Sequence, residues 1–267
     1  IAELIPSKVG TAVHDQIEAA WKHNFKNALK NLNYPQNVIN SIVINPMPDA
    51  VPEGKTAVYM EQRRSKVVNG WTIGGKFDFV ADGKLSDFKT TKTYSYIAGS
   101  NDDQYIKQAS IYRWLNQNII TSNIFSIVYI FTDWKRLEAA RTKDYPQQNI
   151  IEKNFELMSI ADTQAFVEHK VSQIQFFMQK DQAEMPMCTS EELWQRDSVW
   201  KYYKDPNKTT RSTKNFPSAA EAHARNASDG GLGLVIEQKG EVRRCAFCNA
   251  RPVCLQAQQL EHEGLLK

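Results

Sequence analysis

The chain has 267 residues, of which 42% are hydrophobic, and a formal net charge of +3. Such a length supports a substantial core, as one large domain or one domain with an appended lobe, while so small a charge does not argue for nucleic-acid binding by itself. No stretch approaches the roughly 20 apolar residues that span a bilayer, and no charged-then-apolar signal segment opens the chain, so no membrane partner is expected.

The chain starts at Ile1 rather than Met, and a longer native N-terminus is expected. Residues 8–32 carry Val9, Val13, Ile17, Ala20, Trp21, Phe25, Ala28 and Leu32 at helical spacing, which predicts an amphipathic helix with Ser7 as its N-cap. His14 and Glu18 lie one turn apart at the edge of that stripe, where a histidine is by default a packed or solvated residue. Residues 33–55 hold Pro35, Pro46, Pro48 and Pro52 and read as a loop with a short strand at 41–44. Residues 56–62 and 65–68 read as strand, and Asn69-Gly70 as a two-residue turn. Glu61 on that strand is expected to be exposed rather than part of a site.

The stretch IGGKFDFVADGKLSDFKTTK, residues 73–92, is the informative one. Asp82-Gly83 between two alternating, β-rich runs predicts a hairpin. Its register pairs Ala81 with Lys84, Val80 with Leu85, Phe79 with Ser86, and therefore Asp78 with Asp87. Opposed carboxylates about 5 Å apart at Cβ repel, and a divalent cation between them reverses the sign, since hard oxygen ligands suit Mg²⁺ or Mn²⁺. Lys89, two residues beyond Asp87, falls on the same face; Phe77, Phe79 and Phe88 fall on the other. An isolated hairpin of this kind is more often a solvated surface.

A polar, mobile segment is expected up to Asp103, then a helix over 104–117 with Gln108 and Tyr112 on one face. IFSIVYIF at 124–131 reads as a strand buried on both faces. Another strand is expected within 149–158, and a helix from an Asp162 N-cap to Gln179. From Met185 the character changes: a helical pattern runs through Trp194, and 201–214 is basic with Tyr202 and Tyr203. That segment could follow a phosphate backbone with bases on its rings, though a solvated loop is the plainer reading. A helix at 219–227, a Gly-Gly-Leu-Gly turn and a strand near 234–237 lead to RRCAFCNARPVC.

Cys245, Cys248 and Cys254 have the spacing C-x2-C-x5-C, and Cys188 is the one remaining cysteine. Four thiolates complete a tetrahedral zinc site or an iron–sulphur cluster. Spacing does not separate the two. Such a site fits better than a disulfide framework and points to a reducing, cytoplasmic compartment.

With these residues in place, the chain resembles the RecB-type branch of the PD-(D/E)xK nuclease superfamily, particularly phage-encoded exonucleases and the iron–sulphur nucleases related to AddB and the CRISPR-associated exonucleases. Gly10 with His14 resembles that branch's G-x-x-x-H motif, Gly75 with Asp78 and Asp87-Phe88-Lys89 its G-x-x-D and D-x-K core, and Gln108 with Tyr112 its Q-x-x-x-Y motif. One departure concerns the cysteines: in AddB-like members the first lies ahead of the nuclease core, whereas Cys188 follows it.

The resemblance implies an α/β (α+β) fold: a restriction-endonuclease-like core, with a central mixed β-sheet flanked by helices, over residues 1–184. Residues 185–267 would form a C-terminal cysteine-ligated metal lobe packed on it. It implies a metal-dependent DNA exonuclease acting in phage DNA recombination, repair or processing, in the host cytoplasm, with DNA as partner and room for a recombination protein of unknown identity. His14, Asp78, Asp87 and the carbonyl of Phe88 are then the ligands of Mg²⁺ or Mn²⁺, and Asp78, Asp87, Lys89, Gln108 and Tyr112 the catalytic set. Cys188, Cys245, Cys248 and Cys254 would hold a [4Fe-4S] cluster, with Zn²⁺ as the alternative. A structure-specific endonuclease and a non-catalytic DNA-end-binding protein are the competing expectations.

Overall fold

The structure, a computed structural model, describes residues 5–99 and 101–266. The chain divides into two compact units, Ile1–Ile174 and Gln175–Lys267. The division falls earlier than the expected 184/185, inside helix α6 (Ile160–Phe177). No helix among the described residues is long and apolar enough to cross a membrane.

The first unit is a mixed α/β structure built on a six-stranded sheet with strands in chain order: β1 (Ile42–Ile44), β2 (Thr56–Val68), β3 (Trp71–Ala81), β4 (Lys84–Thr91), β5 (Ile124–Phe131) and β6 (Ile150–Glu156). The pairs β1/β2 and β4/β5 are parallel and the rest antiparallel. Helix α1 (Ile5–Asn31) packs against β4, and α4 (Asp102–Leu115) packs against β2 and β3. Both expected two-residue turns are present. Asn69 and Gly70 have φ 47° and 81°, Asp82 and Gly83 φ 49° and 74°; positive φ at both central positions gives the turn twist that matches paired strands.

Several local expectations are corrected. Ser7 is inside α1 and its carbonyl accepts a hydrogen bond from Thr11 Oγ1. The proline-bearing connector contains α2 (Gln36–Ser41), and the segment expected to be mobile contains α3 (Thr93–Ala98). A further short helix, α5 (Arg136–Arg141), also escapes the pattern. Helices of one or two turns carry too few residues to show a period. At the start of α6 it is Ser159 that caps, accepting from Asp162 N–H at 3.0 Å. Asp162, expected as the cap, lies in the first turn and accepts from the Ser159 hydroxyl at 2.6 Å.

The main core of this unit joins Phe77, Val80, Leu85, Phe125, Ile127 and Tyr129 to Ala109 of α4. Phe77 and Val80 share this cluster although they are three residues apart, whereas strand alternation places only even separations on one face. Phe79, between them, packs instead on Trp21 of α1 and on Phe88. The alternation therefore slips by one at Asp78. Glu61, which the β2/β3 register would set opposite Asp78, has φ 51° and drops out of the ladder. Phe77 is thus not on the face of Phe79 and Phe88, as simple alternation predicts.

The second unit holds a three-stranded antiparallel sheet in the order β8-β7-β9: β7 (Val199–Tyr203), β8 (Lys214–Phe216) and β9 (Leu234–Gln238). Helix α7 (Ala219–Ser228) packs on it, with Ala222 against Tyr202 and Phe216. A separate small core gathers Leu193, Val242, Cys245 and, from α8 (Leu255–His262), Ala257 and Leu260. Residues 190–194 form turns rather than the expected helix. Tyr202 and Tyr203 are buried, and the Tyr202 hydroxyl donates to Asp229 at 3.0 Å. They cannot serve as a base-stacking surface.

Candidate active site

The hairpin register is present for Ala81↔Lys84, Val80↔Leu85 and Phe79↔Ser86, and the β3/β4 ladder ends there. Asp78 and Asp87 are the next pair in sequence but not a ladder pair. Beyond Ser86, β4 continues by pairing with β5, while β3 continues along β2. The two strands part at the acids.

His14 of α1 reaches this point. Its Nε2 lies 2.7 Å from the Phe88 carbonyl oxygen and its Nδ1 3.3 Å from Asp78 Oδ2. Asp78 Oδ2 also accepts a long hydrogen bond, 3.4 Å, from the Phe88 N–H. Gly10 eases the approach of the helix one turn before His14: a Cβ there would stand 3.0 Å from Thr90 Oγ1, which would have to shift by a few tenths of an ångström.

Lys89 Nζ forms an ion pair with Asp87 Oδ2 at 2.6 Å. Asp87 is buried, and that oxygen is otherwise without a hydrogen-bond donor. Burial alone would lower the Lys89 ammonium; the Asp87 carboxylate, with Asp78 and Tyr105 beyond it, outweighs burial and holds it above the ordinary lysine value. Lys89 is therefore a fixed positive charge rather than a base at neutral pH. Burial first, and the neighbouring Asp87 carboxylate second, push Asp78 up to about 6, against the opposing pull of His14, Lys89 and the Phe88 N–H.

That shift has a consequence for stability. Asp78 ionises near its ordinary 3.8 when unfolded and near 6 in the fold. The unfolded chain therefore gives up this proton first, and the fold loses stability as pH rises through that window, by on the order of 3 kcal/mol above it. Asp78→Asn is expected to be more stable than the parent at about pH 7 and little different at about pH 4, as read from urea unfolding. A parent as stable as the variant at both would show that Asp78 is not held against its ionisation.

Gln108 Nε2 donates to the Tyr112 hydroxyl at 2.9 Å on α4. Tyr112 lies over Gly75, where a Cβ would be 2.9 Å from its ring. Burial raises the Tyr112 phenol, with Asp87 and Asp78 close enough to add to the effect, so the ring belongs to the same neighbourhood. Sequence reading missed Tyr105, whose ring centroid is 5.5 Å from Lys89 Nζ. A signal existed: Tyr105, Gln108 and Tyr112 stand at i, i+3 and i+7, on one helical face. Glu61 is not a free strand acid but the ion-pair partner of Lys76.

In the second unit, burial raises the Cys245 thiol first, and Cys254, Cys248 and Cys188 add to it. Cys188 is tied to the Cys254 segment by Gln256, which accepts from its N–H at 2.8 Å and donates to its carbonyl at 2.9 Å. The four cysteines are therefore neighbours. Yet among the described residues no three His, Cys, Asp or Glu side chains are grouped so as to hold a metal ion, in this unit or at the acids. A metal lobe is thus not supported by the side-chain arrangement.

No family model matches the chain, and no curated protein matches it. Among solved structures, the crystal structure of SSO0001 is similar at 17% identity with a TM-score of 0.35, over 67% of this chain and 65% of that one. The chain thus spans just under two thirds of that structure's length, and at that score the likeness carries no inference. The site is read from its own geometry.

Proposed function

We propose that this chain is a divalent-cation-dependent DNA exonuclease of the RecB-type PD-(D/E)xK class, built on a restriction-endonuclease-like core. The observation that supports it is the notch where β3 and β4 part, into which His14, Asp78, Asp87, Lys89 and the Phe88 carbonyl converge from three elements. Asp87 Oδ2, buried and paired with Lys89, and Asp78, whose ionisation Asp87 opposes, suit a hard cation. Asp78, Asp87, His14 and the Phe88 carbonyl would hold Mg²⁺ or Mn²⁺. When bound, such an ion polarises a phosphoryl oxygen and acidifies water.

The chain's own groups do the rest. Lys89, kept charged by Asp87, stabilises negative charge developing on the scissile phosphate. His14 orients the Phe88 carbonyl. The Tyr112 hydroxyl, a neutral phenol that burial raises further, donates to the nucleic-acid strand while Gln108 fixes its direction. The test is degradation of end-labelled linear duplex and single-stranded DNA with Mg²⁺, Mn²⁺ or EDTA. Cation-dependent loss of DNA that disappears in Asp87→Ala supports the reading, and the label released first gives the direction. Binding without cleavage under every cation would replace it by a DNA-end-binding protein.

For the cysteines the donor chemistry fits a [4Fe-4S] cluster, or Zn²⁺, while the side-chain spacing does not, so no catalytic step is assigned to that lobe. A structural cluster predicts iron and acid-labile sulphide in anaerobically purified protein, both lost in Cys248→Ser together with thermal stability. Zinc without iron supports the alternative, and neither metal in the parent would end the proposal.

A further inference from the structure

Trp194 stands in an unusual place. It follows a single turn in which Leu193 N–H donates to Thr189 and Trp194 N–H to Glu191, and its φ of 50° lies in the left-handed region. A bulky residue there costs on the order of 1–3 kcal/mol, and glycine is the usual occupant. The strain does not serve burial, because Trp194 is 48% exposed. It is held by the cysteine segment: the Leu193 carbonyl accepts from the N–H groups of both Arg243 and Arg244. The Arg244 guanidinium lies over the indole at 4.6 Å, and the Phe247 ring, 62% exposed, stands 6.2 Å from it at 51°. Two exposed rings and the exposed Arg244 therefore share one surface, and Arg243, the residue before Arg244, is exposed as well.

Apolar rings left in water beside cations are what an unpaired nucleotide needs: a base stacks on a ring of any kind, and arginine takes the phosphate. A guanidinium stacked on an indole keeps its in-plane N–H groups directed outward, ready for phosphate oxygens. Duplex DNA offers no free base faces, which selects single strands. Resting on the nucleic-acid reading above, we infer that Trp194 and Phe247 form a stacking platform for single-stranded DNA, with Arg243 and Arg244 supplying the charge for its backbone.

A turn-closing role for Trp194 makes the opposite prediction about stability, and that separates the two. Trp194→Gly removes the ring and relieves the left-handed strain, so its melting temperature is expected to equal or exceed the parent's. The experiment measures fluorescence anisotropy of a labelled oligo(dT) and of a blunt duplex, with the full-length Asp87→Ala protein as the non-cleaving parent. Trp194→Gly and, independently, Phe247→Ala are each expected to weaken oligo(dT) binding by about tenfold, with the duplex changed by less than about twofold. Should Trp194→Gly fail to fold, Phe247→Ala carries the test alone. Unchanged oligo(dT) affinity, an equal loss on both probes, or a parent that does not bind oligo(dT) overturns the platform. Cleavage by the unmodified chain is read separately, so the nuclease reading can survive that result or fall by its own.

Discussion

Asp87→Ala is expected to reduce cleavage of linear DNA by on the order of 10³-fold or more, because the several kcal/mol that a correctly held cation supplies are lost with its ligand. Two effects combine in this one side chain. Its carboxylate is buried at the notch as a cation ligand, and it is also the counter-charge that keeps Lys89 protonated. Removing it weakens cation binding and lowers the lysine together. Lys89→Ala separates them: it should lose nearly as much activity while titration calorimetry still detects Mn²⁺ binding. Near-ultraviolet circular dichroism checks that both variants are folded. Parent-like cutting by Asp87→Ala would sink the assignment.

Phe77→Ala is expected to lower the free energy of unfolding by about 3–5 kcal/mol, the usual cost of a buried phenylalanine truncated to alanine. Phe77 is fully buried among Val80, Leu85, Phe125 and Tyr129. Phe79→Ala, in the half-buried contact with Trp21 and Phe88, should cost distinctly less. Denaturant unfolding of the two variants reads the difference. Equal losses would mean that the two rings share one environment and that the alternation does not slip at Asp78. The same slip takes Asp78 out of the regular pleat, next to the strand from which β4 has parted, so core packing and site geometry are two results of one local break.

The hairpin was legible because its determinants are local. Asp82 and Gly83 accept positive φ, and three of the four pairs that follow from a two-residue loop are in the ladder. The fourth pair is missing for a reason no hairpin rule contains: β4 finds a parallel partner in β5, some forty positions away, and leaves β3 just where the acids stand. The long helix was legible by its period and the strand at 124–131 by its nearly unbroken apolar run. The short helices α2, α3 and α5 were not. Tyr202 and Tyr203 show the limit of composition: a basic stretch with aromatics suggests a stacking surface, but β7 turns both rings into a core, while Trp194 and Phe247, outside that stretch, are among the exposed rings.

Local rules reach the chemistry available and its register: two acids and a lysine beside a tight turn, a histidine one turn after a glycine, and four cysteines late in the chain. Turn and period rules act over a few residues, so they survive without a tertiary context. The tertiary structure alone decided that His14 meets the Phe88 carbonyl 74 positions away, that Tyr105 stands over Lys89, and that Asp78 is pushed up to about 6. Contacts and desolvation of this kind depend on which element packs over a side chain, and that is fixed only when the sheet closes on its helices.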